Sequence, residues 1–341
     1  MNFREENILQ KALDKFQKTT GIEIEFHKDV YDEPLRPDVL IRITHQGLEW
    51  YFAGNVKLGV TRANIGILAQ ELMKFREKGL LITRYVPPPV AELLKGLDVP
   101  FIDTAGNVYI NDPPLYVFIK GNKPDEEPGP EPIQRIFRPA GLQVLFALLC
   151  NPGMEGEPFR EIAKAADVAL GTVSAVLKEL EKMGYLIDMG RRGRRLVRKD
   201  DLLKRWVTAY PEQLKPKKFK GRFKANEDDW WKEVDIQDFG ACWGGEIAAA
   251  YLTEHLIPEL ATVYTTEPIG KFVLKNRLKR DPNGNVEILN VFWKFGQNRV
   301  NSGLAHPILV YADLMATGDN RNIETAGLIY DEEIIRFIRE D

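Results

Sequence analysis

Cysteine and histidine are scarce: 341 residues hold two of the first and four of the second. Cys150 and Cys242 stand far apart, and with the scattered histidines they give no metal-ligand spacing, which argues against a disulfide framework or a structural zinc. No metal and no cofactor is expected. Long apolar runs are missing too; none approaches the roughly 20 residues of a membrane span, so no membrane partner is expected. The opening MNFREENILQKALDKF is charged and amphipathic where a secretory signal is apolar, and the expected location is the cytoplasm.

A large net charge is also lacking, at -3, but the balance is uneven. Residues 190–224 hold 14 Lys or Arg against 3 Asp or Glu, so a strongly basic segment sits inside an otherwise acidic chain. That pattern suggests one surface built for a polyanion; a solvated lysine-rich linker is the plainer alternative.

Hydrophobic residues at 44% and charged residues at 28% describe a globular chain long enough for several cores. NKPDEEPGPEP, residues 122–132, has no apolar period and reads as a linker. A weaker boundary falls within 211–229. The expected organisation is an α/β domain over 1–121, the linker, a second domain over 133–215 and an α+β domain over 216–341. In the first domain an opening helix to about Phe16 precedes strands Ile22–Phe26, Val39–Ile43 and LEWYFAGNV. A helix over about 63–78, the apolar LLITRY, a helix in PPVAELLKGLD and short strands in VPFIDTAGNVYI and LYVFI complete it.

The second domain opens with PAGLQVLFALL, which has the apolar density of a buried helix. EPFREIAKAA then places Phe159, Ile162, Ala163 and Ala166 on one helical face, and a short connection leads to TVSAVLKELEKMGYL. There Val173, Val176, Leu177 and Leu180 form the inward stripe, leaving Thr172, Ser174, Ala175, Lys178 and Glu179 facing elsewhere. YLIDMGRRGRRLVR follows as a hairpin bearing Arg191, Arg192, Arg194 and Arg195. The whole resembles a winged helix-turn-helix repressor. The resemblance implies that Thr172, Ser174, Ala175 and Lys178 reach towards base edges or phosphates while the four arginines meet backbone or minor groove. Lys217, Lys218, Lys220, Arg222 and Lys224 would extend the phosphate footprint. A winged helix used for protein contacts is the alternative.

RPDVLIRITHQGLEWYFAGNVK resembles the core of a restriction-endonuclease-like fold. In that family an Asp ending one strand and an acid-x-Lys on the next hold a divalent metal. Asp38 and Lys57 match, but Asn55 stands where the acid is needed, and a neutral amide is a poor ligand for a hard cation. Glu49 or Glu71 would have to supply a displaced carboxylate, so the expectation is a nuclease-like scaffold without cleavage. An unrelated α/β domain is the plainest alternative.

LLITRYVPPPVAELLKGLDVPFIDTAGNVYI, the winged helix, CWGGEIAAAYLTEHLIPELATVYT, GNVEILNVFW and ILVYADLMATGDNRNIETAGLIY together resemble the AbiEi-type antitoxins, transcriptional regulators of type IV toxin-antitoxin systems associated with phage defence. The similarity runs from about Asp38 onward. It implies a repressor of its own operon, bound to double-stranded DNA of its own promoter region, with a nucleotidyltransferase-like toxin as functional partner.

In the third domain DPNGN, residues 281–285, reads as a turn between strands FVLKNRLKR and VEILNVFW, and Gly244 and Gly245 permit close packing at the start of a helix. Asp313, Asp319, Arg321 and Glu324 could hold a cation or pair with phosphate, but an ion-pair and capping network is the favoured reading. His255 and His306 are expected to be structural. The fold class expected is α/β plus α+β multidomain: a restriction-endonuclease-like N-terminal domain, a central winged helix-turn-helix and a C-terminal α+β domain. The function expected is sequence-specific repression without catalysis. Two rivals stand beside it: a metal-dependent nuclease using Asp38 and Lys57, and an interaction module that binds a toxin.

Overall fold

The computed structural model describes residues 3–28, 37–124, 134–227, 229–296 and 303–338. Of the proline-rich stretch 122–132, residues 125–132 lie outside this set. The chain divides into two compact mixed α/β units, residues 1–131 and 132–341.

In the first unit, helix α1 (Phe3–Thr20) buries Ile8, Leu9, Ala12, Leu13 and Phe16, one stripe at helical spacing. Seven strands follow, and they lie in the sheet in their sequence order. β1 (Glu23–His27), β2 (Val39–His45) and β3 (Leu48–Lys57) form an antiparallel meander. Val39, Ile41 and Ile43 alternate inward along β2 and join the α1 stripe in one core. Helices α2 (Ile65–Leu72) and α3 (Pro88–Gly96) are the crossovers that make β3, β4 (Lys78–Thr83) and β5 (Phe101–Asp103) parallel. β6 (Val108–Asp112) and β7 (Leu115–Ile119) return antiparallel. The helix expected over 63–78 is shorter than its apolar pattern, because residues 73–77 must turn the chain into β4. Gly79 there lies so close to Leu72 that an added Cβ would sit 2.6 Å from the Leu72 Cβ.

A fully buried carboxylate holds the β5–β6 turn. Asp103 accepts from the backbone N–H groups of Val86 (2.8 Å), Ala105 (2.9 Å) and Asn107 (2.8 Å) and from Asn107 Nδ2 (2.7 Å). Asn107, also fully buried, passes the network on to the backbone of Asn122. Four donors on one carboxylate satisfy groups that burial would otherwise leave stranded.

The second unit begins with α4 (Pro139–Cys150), α5 (Phe159–Ala166) and α6 (Leu170–Lys182), then the two-stranded antiparallel ribbon β8 (Leu186–Asp188) and β9 (Arg194–Leu196). α7 (Lys199–Ala209), a π turn at Tyr210–Leu214 and α8 (Lys215–Lys218) lead into β10 (Phe219–Lys224). β11 (Ala241–Gly244), α9 (Gly245–Thr253), β12 (Ala261–Thr265), α10 (Gly270–Lys275), β13 (Lys279–Arg280) and β14 (Val286–Asn290) come next. The five strands lie in the order β11-β12-β14-β10-β13, with β12 and β14 parallel. α11 (Pro307–Met315), α12 (Asn320–Ile329) and α13 (Ile335–Ile338) close the unit.

The strand expected in FVLKNRLKR is largely a helix. Phe272 turns inward, Leu274 is left exposed, and Asn276 Nδ2 donates to the Phe272 carbonyl (2.9 Å); Arg277 then reverses the chain at φ 52°, leaving only Lys279 and Arg280 as β13. The boundary expected near residue 215 does not separate compact units either. Phe146 of α4 stacks on Trp206 (5.2 Å), which stacks on Tyr210 (5.1 Å), and Phe292, Trp293 and Phe295 beyond β14 close on the same ring. A shared aromatic core of this area fuses the helical and sheet portions.

Candidate nucleic-acid interface

α5 and α6 are joined by Asp167, Val168 and Ala169. Asp167 takes a left-handed conformation (φ 53°) as α5 ends, and the Val168 N–H donates back to Ala163 O at 3.0 Å. Ile162, Ala163 and Ala166 of α5 and Val173, Val176, Leu177 and Leu180 of α6 are buried, so both helices turn their apolar stripes inward. That leaves Ser174 and Lys178 exposed and Thr172 and Ala175 partly exposed along one face of α6. Ala169, at the N-cap of α6, offers no side-chain acceptor to the first turn. The positive end of the helix dipole is therefore uncompensated by its own cap.

Phe159 departs from its expected place on the buried face of α5. It is 36% exposed, and the Arg194 guanidinium lies 4.6 Å over its ring. Arg194 also donates to the Glu157 carbonyl at 2.6 Å, so this arginine is built into the packing of the ribbon rather than left free. Arg192 and Arg195 are exposed; the Arg191 side chain lies outside the described residues. Leu186 and Leu196 face each other across the ribbon on its buried side. The buried Glu155 carboxylate accepts the Leu196 N–H (3.2 Å) and fastens the ribbon to the helices.

The α5–α6 turn is tied to the sheet portion of the unit. Gln143 Nε2, buried in α4, donates to the carbonyls of both Ala166 (2.9 Å) and Phe292 (3.1 Å). The Lys294 N–H donates to Ala165 O (2.7 Å) and its ammonium lies 2.7 Å from Asp167. Gln143→Leu is expected to cost about 1–3 kcal/mol, because two buried carbonyls lose their shared donor. Thermal unfolding of the variant checks this; an unchanged midpoint would show that the bridge is dispensable.

Of the basic residues after the ribbon, Lys217, Lys220 and Lys224 are exposed. Lys218 is half-buried beneath the turn, 5.9 Å from the centre of the Phe292 ring; burial pushes its pKa down against the pull of Asp167. Arg222 Nε donates to the Gly284 carbonyl (2.8 Å) and so braces the 281–285 turn.

In the first unit the groups read as nuclease-like are engaged with the protein itself. Asp38 accepts the Val56 N–H at 2.8 Å, Lys57 pairs with Glu71 at 3.1 Å, and Glu49 pairs with Arg42 and Tyr51. Among the described residues, no group of three or more His, Cys, Asp or Glu is placed to hold a metal ion. Cys150 and Cys242 are buried free thiols, and burial pushes Cys242 up to about 12.

The acids and arginine of residues 313–324 do not gather. Asp319 caps α12 through the Arg321 and Asn322 N–H groups, Arg321 pairs with Asp319 and Glu259, and His306 caps α11 by accepting the Ile308 N–H. Asp313 turns inward instead, into a cluster that the sequence reading missed. Lys215 Nζ lies 2.6 Å from Glu287 and 3.0 Å from Asp313. Thr262 donates to Glu287 (2.9 Å), Tyr264 donates to Asp313 (2.7 Å), and Tyr210 and Tyr264 share a hydrogen bond of 2.6 Å. The signal available was an aspartate within PILVYADLM, an otherwise wholly apolar helix, since a buried charge requires a partner.

No helix among the described residues is long and apolar enough to cross a membrane. No curated protein and no solved structure matches the chain. A match to a family model spans residues 195–335, from the second ribbon strand into α13. Its description is transcriptional regulator, AbiEi antitoxin, type IV toxin-antitoxin system. Residues 195–335 of this chain are thus similar to the AbiEi antitoxin family of transcriptional regulators.

Proposed function

We propose that this chain is a sequence-specific DNA-binding repressor of its own operon, the antitoxin of a type IV system, with a winged helix-turn-helix over residues 133–215. α6 is its recognition helix and the β8–β9 ribbon its wing. The observation that carries the reading is the division of α6 into a buried apolar stripe and a free face of Thr172, Ser174, Ala175 and Lys178, beside the exposed Arg192 and Arg195. Small and polar side chains on that face suit a major groove, and arginines on a ribbon suit phosphates or a narrow minor groove. The uncapped first turn of α6 adds a dipole favourable to a phosphate. The family description supports regulation as the purpose of the binding.

The test is binding to a labelled duplex from the promoter of the protein's own gene, against random competitor. Wild type is expected to bind with a log affinity that falls against log salt with a slope of about -5, if about six phosphates are neutralised. Lys178→Ala, Arg192→Ala and Arg195→Ala together should weaken binding by about 100-fold or more. Competitor-sensitive binding, equal in both proteins, would reject the proposal.

A further inference from the structure

β10 carries Lys220, Arg222 and Lys224 on the face opposite its buried Gly221 and Phe223. β13 lies antiparallel beside it and sets Lys279 directly opposite Lys224 on the same face, while Arg280, opposite Phe223, lies on the other. The exposed cations Lys217, Lys220, Lys224, Lys279 and Arg280 make no ion pair among the described residues, whereas Lys215, Lys232, Lys275, Lys294 and Arg321 of the same unit are all paired. Like charges directly opposed across two strands destabilise a sheet. One or two lysines would suffice to guard a sheet edge against unwanted pairing, so guarding alone does not explain an opposed pair with further cations around it.

The strip is continuous with the candidate DNA face. It starts beside Lys218, which lies 5.9 Å from the ring of Phe292, the residue that Gln143 bonds together with Ala166 at the α5–α6 turn, and β10 then carries it about 17 Å away along six residues. A duplex presents one negative charge per about 1.7 Å of its axis, so a strip of that length faces several phosphates. An extended row of exposed cations fits a regular polyanion better than a compact acidic ligand.

We infer that the β10–β13 face is a second contact surface for the phosphate backbone of the DNA held by α6, lengthening the footprint beyond the helix-turn-helix. The inference rests on the regulator reading. It assigns phosphate contacts to Lys220, Lys224 and Lys279, which carry no sequence information and act on any duplex long enough to reach them.

The test is a variant with Lys220→Gln, Lys224→Gln and Lys279→Gln, measured on promoter duplexes of about 15 and about 40 base pairs, roughly one and a half and four turns. On the longer duplex its salt slope should be shallower than wild type by about 2.7, so that wild type loses about 40-fold more affinity between 50 and 200 mM salt. On the shorter duplex the two proteins should agree, and the variant should unfold no earlier than wild type because the opposed lysines are gone. Identical slopes on the longer duplex would overturn the inference. So would unchanged duplex binding with loss of binding to vesicles containing phosphatidylserine, which would assign the strip to a lipid surface. If wild type prefers neither promoter duplex over random DNA, the regulator reading itself fails; if only the length dependence is missing, that reading stands and the strip does not.

Discussion

Lys215→Met should cost the second unit about 3–5 kcal/mol at neutral pH, because it leaves two buried carboxylates without their cation. Burial pushes Glu287 up, but the Lys215 charge and hydrogen bond outweigh it and hold this carboxyl below the usual range. Burial also pushes Asp313 up, and there, with Glu287 adding to it, burial prevails over Lys215. Once the ammonium is gone, burial and mutual repulsion act on both groups in the same direction. The folded variant then binds protons at a higher pH than its unfolded chain, so its stability rises as the pH falls. Its deficit against wild type should be greatest near about pH 7.5 and shrink towards about pH 5. Urea midpoints of both proteins at the two pH values measure this. A deficit that does not shrink on acidification would mean that the carboxylates do not depend on the lysine.

Asp103→Ala should damage the first unit on a similar scale, about 3–5 kcal/mol. It strands three backbone N–H groups and an amide in a site without solvent, at about 1–3 kcal/mol for each unsatisfied group, less than additively. In calorimetry the transition of the first unit should fall by roughly 10 °C or more while that of the second stays in place. Asp103→Asn keeps the shape and one acceptor, and should fall between the two. A wild-type transition in the alanine variant would mean that water or a rearranged turn satisfies those donors.

Period was the most legible signal. The stripe Val173, Val176, Leu177 and Leu180 was readable because an amphipathic helix repeats its apolar positions locally, and all four are buried. The alternation in VLIRI was readable for the same reason, with Val39, Ile41 and Ile43 buried. Period misled where it was short. Phe272, Leu274 and Leu278 alternate like a strand, but over so few residues the turn chemistry of Asn276 decides, and it ends a helix. Long-range partners were illegible. Lys215 sits in a run of surface lysines, and nothing near it announces partners 72 and 98 residues away. Arg194 misled in the opposite sense: four arginines in one hairpin look alike in sequence, and its packing against Phe159 and the Glu157 carbonyl is a tertiary contact that local pattern does not announce.

The bonds from Gln143 and Lys294 to the α5–α6 turn bear on how such a protein can be readdressed. Cutting out residues 133–215 and grafting in a foreign reading head would break that stitching and bare Phe292, Trp293 and Phe295, which pack on Phe146. Under the regulator reading, a change of target site is therefore confined to Thr172, Ser174, Ala175 and Lys178, whose side chains meet solvent rather than the body of the fold. On that reading the head is no interchangeable cartridge: its vocabulary could be rewritten letter by letter, but it could not be unplugged.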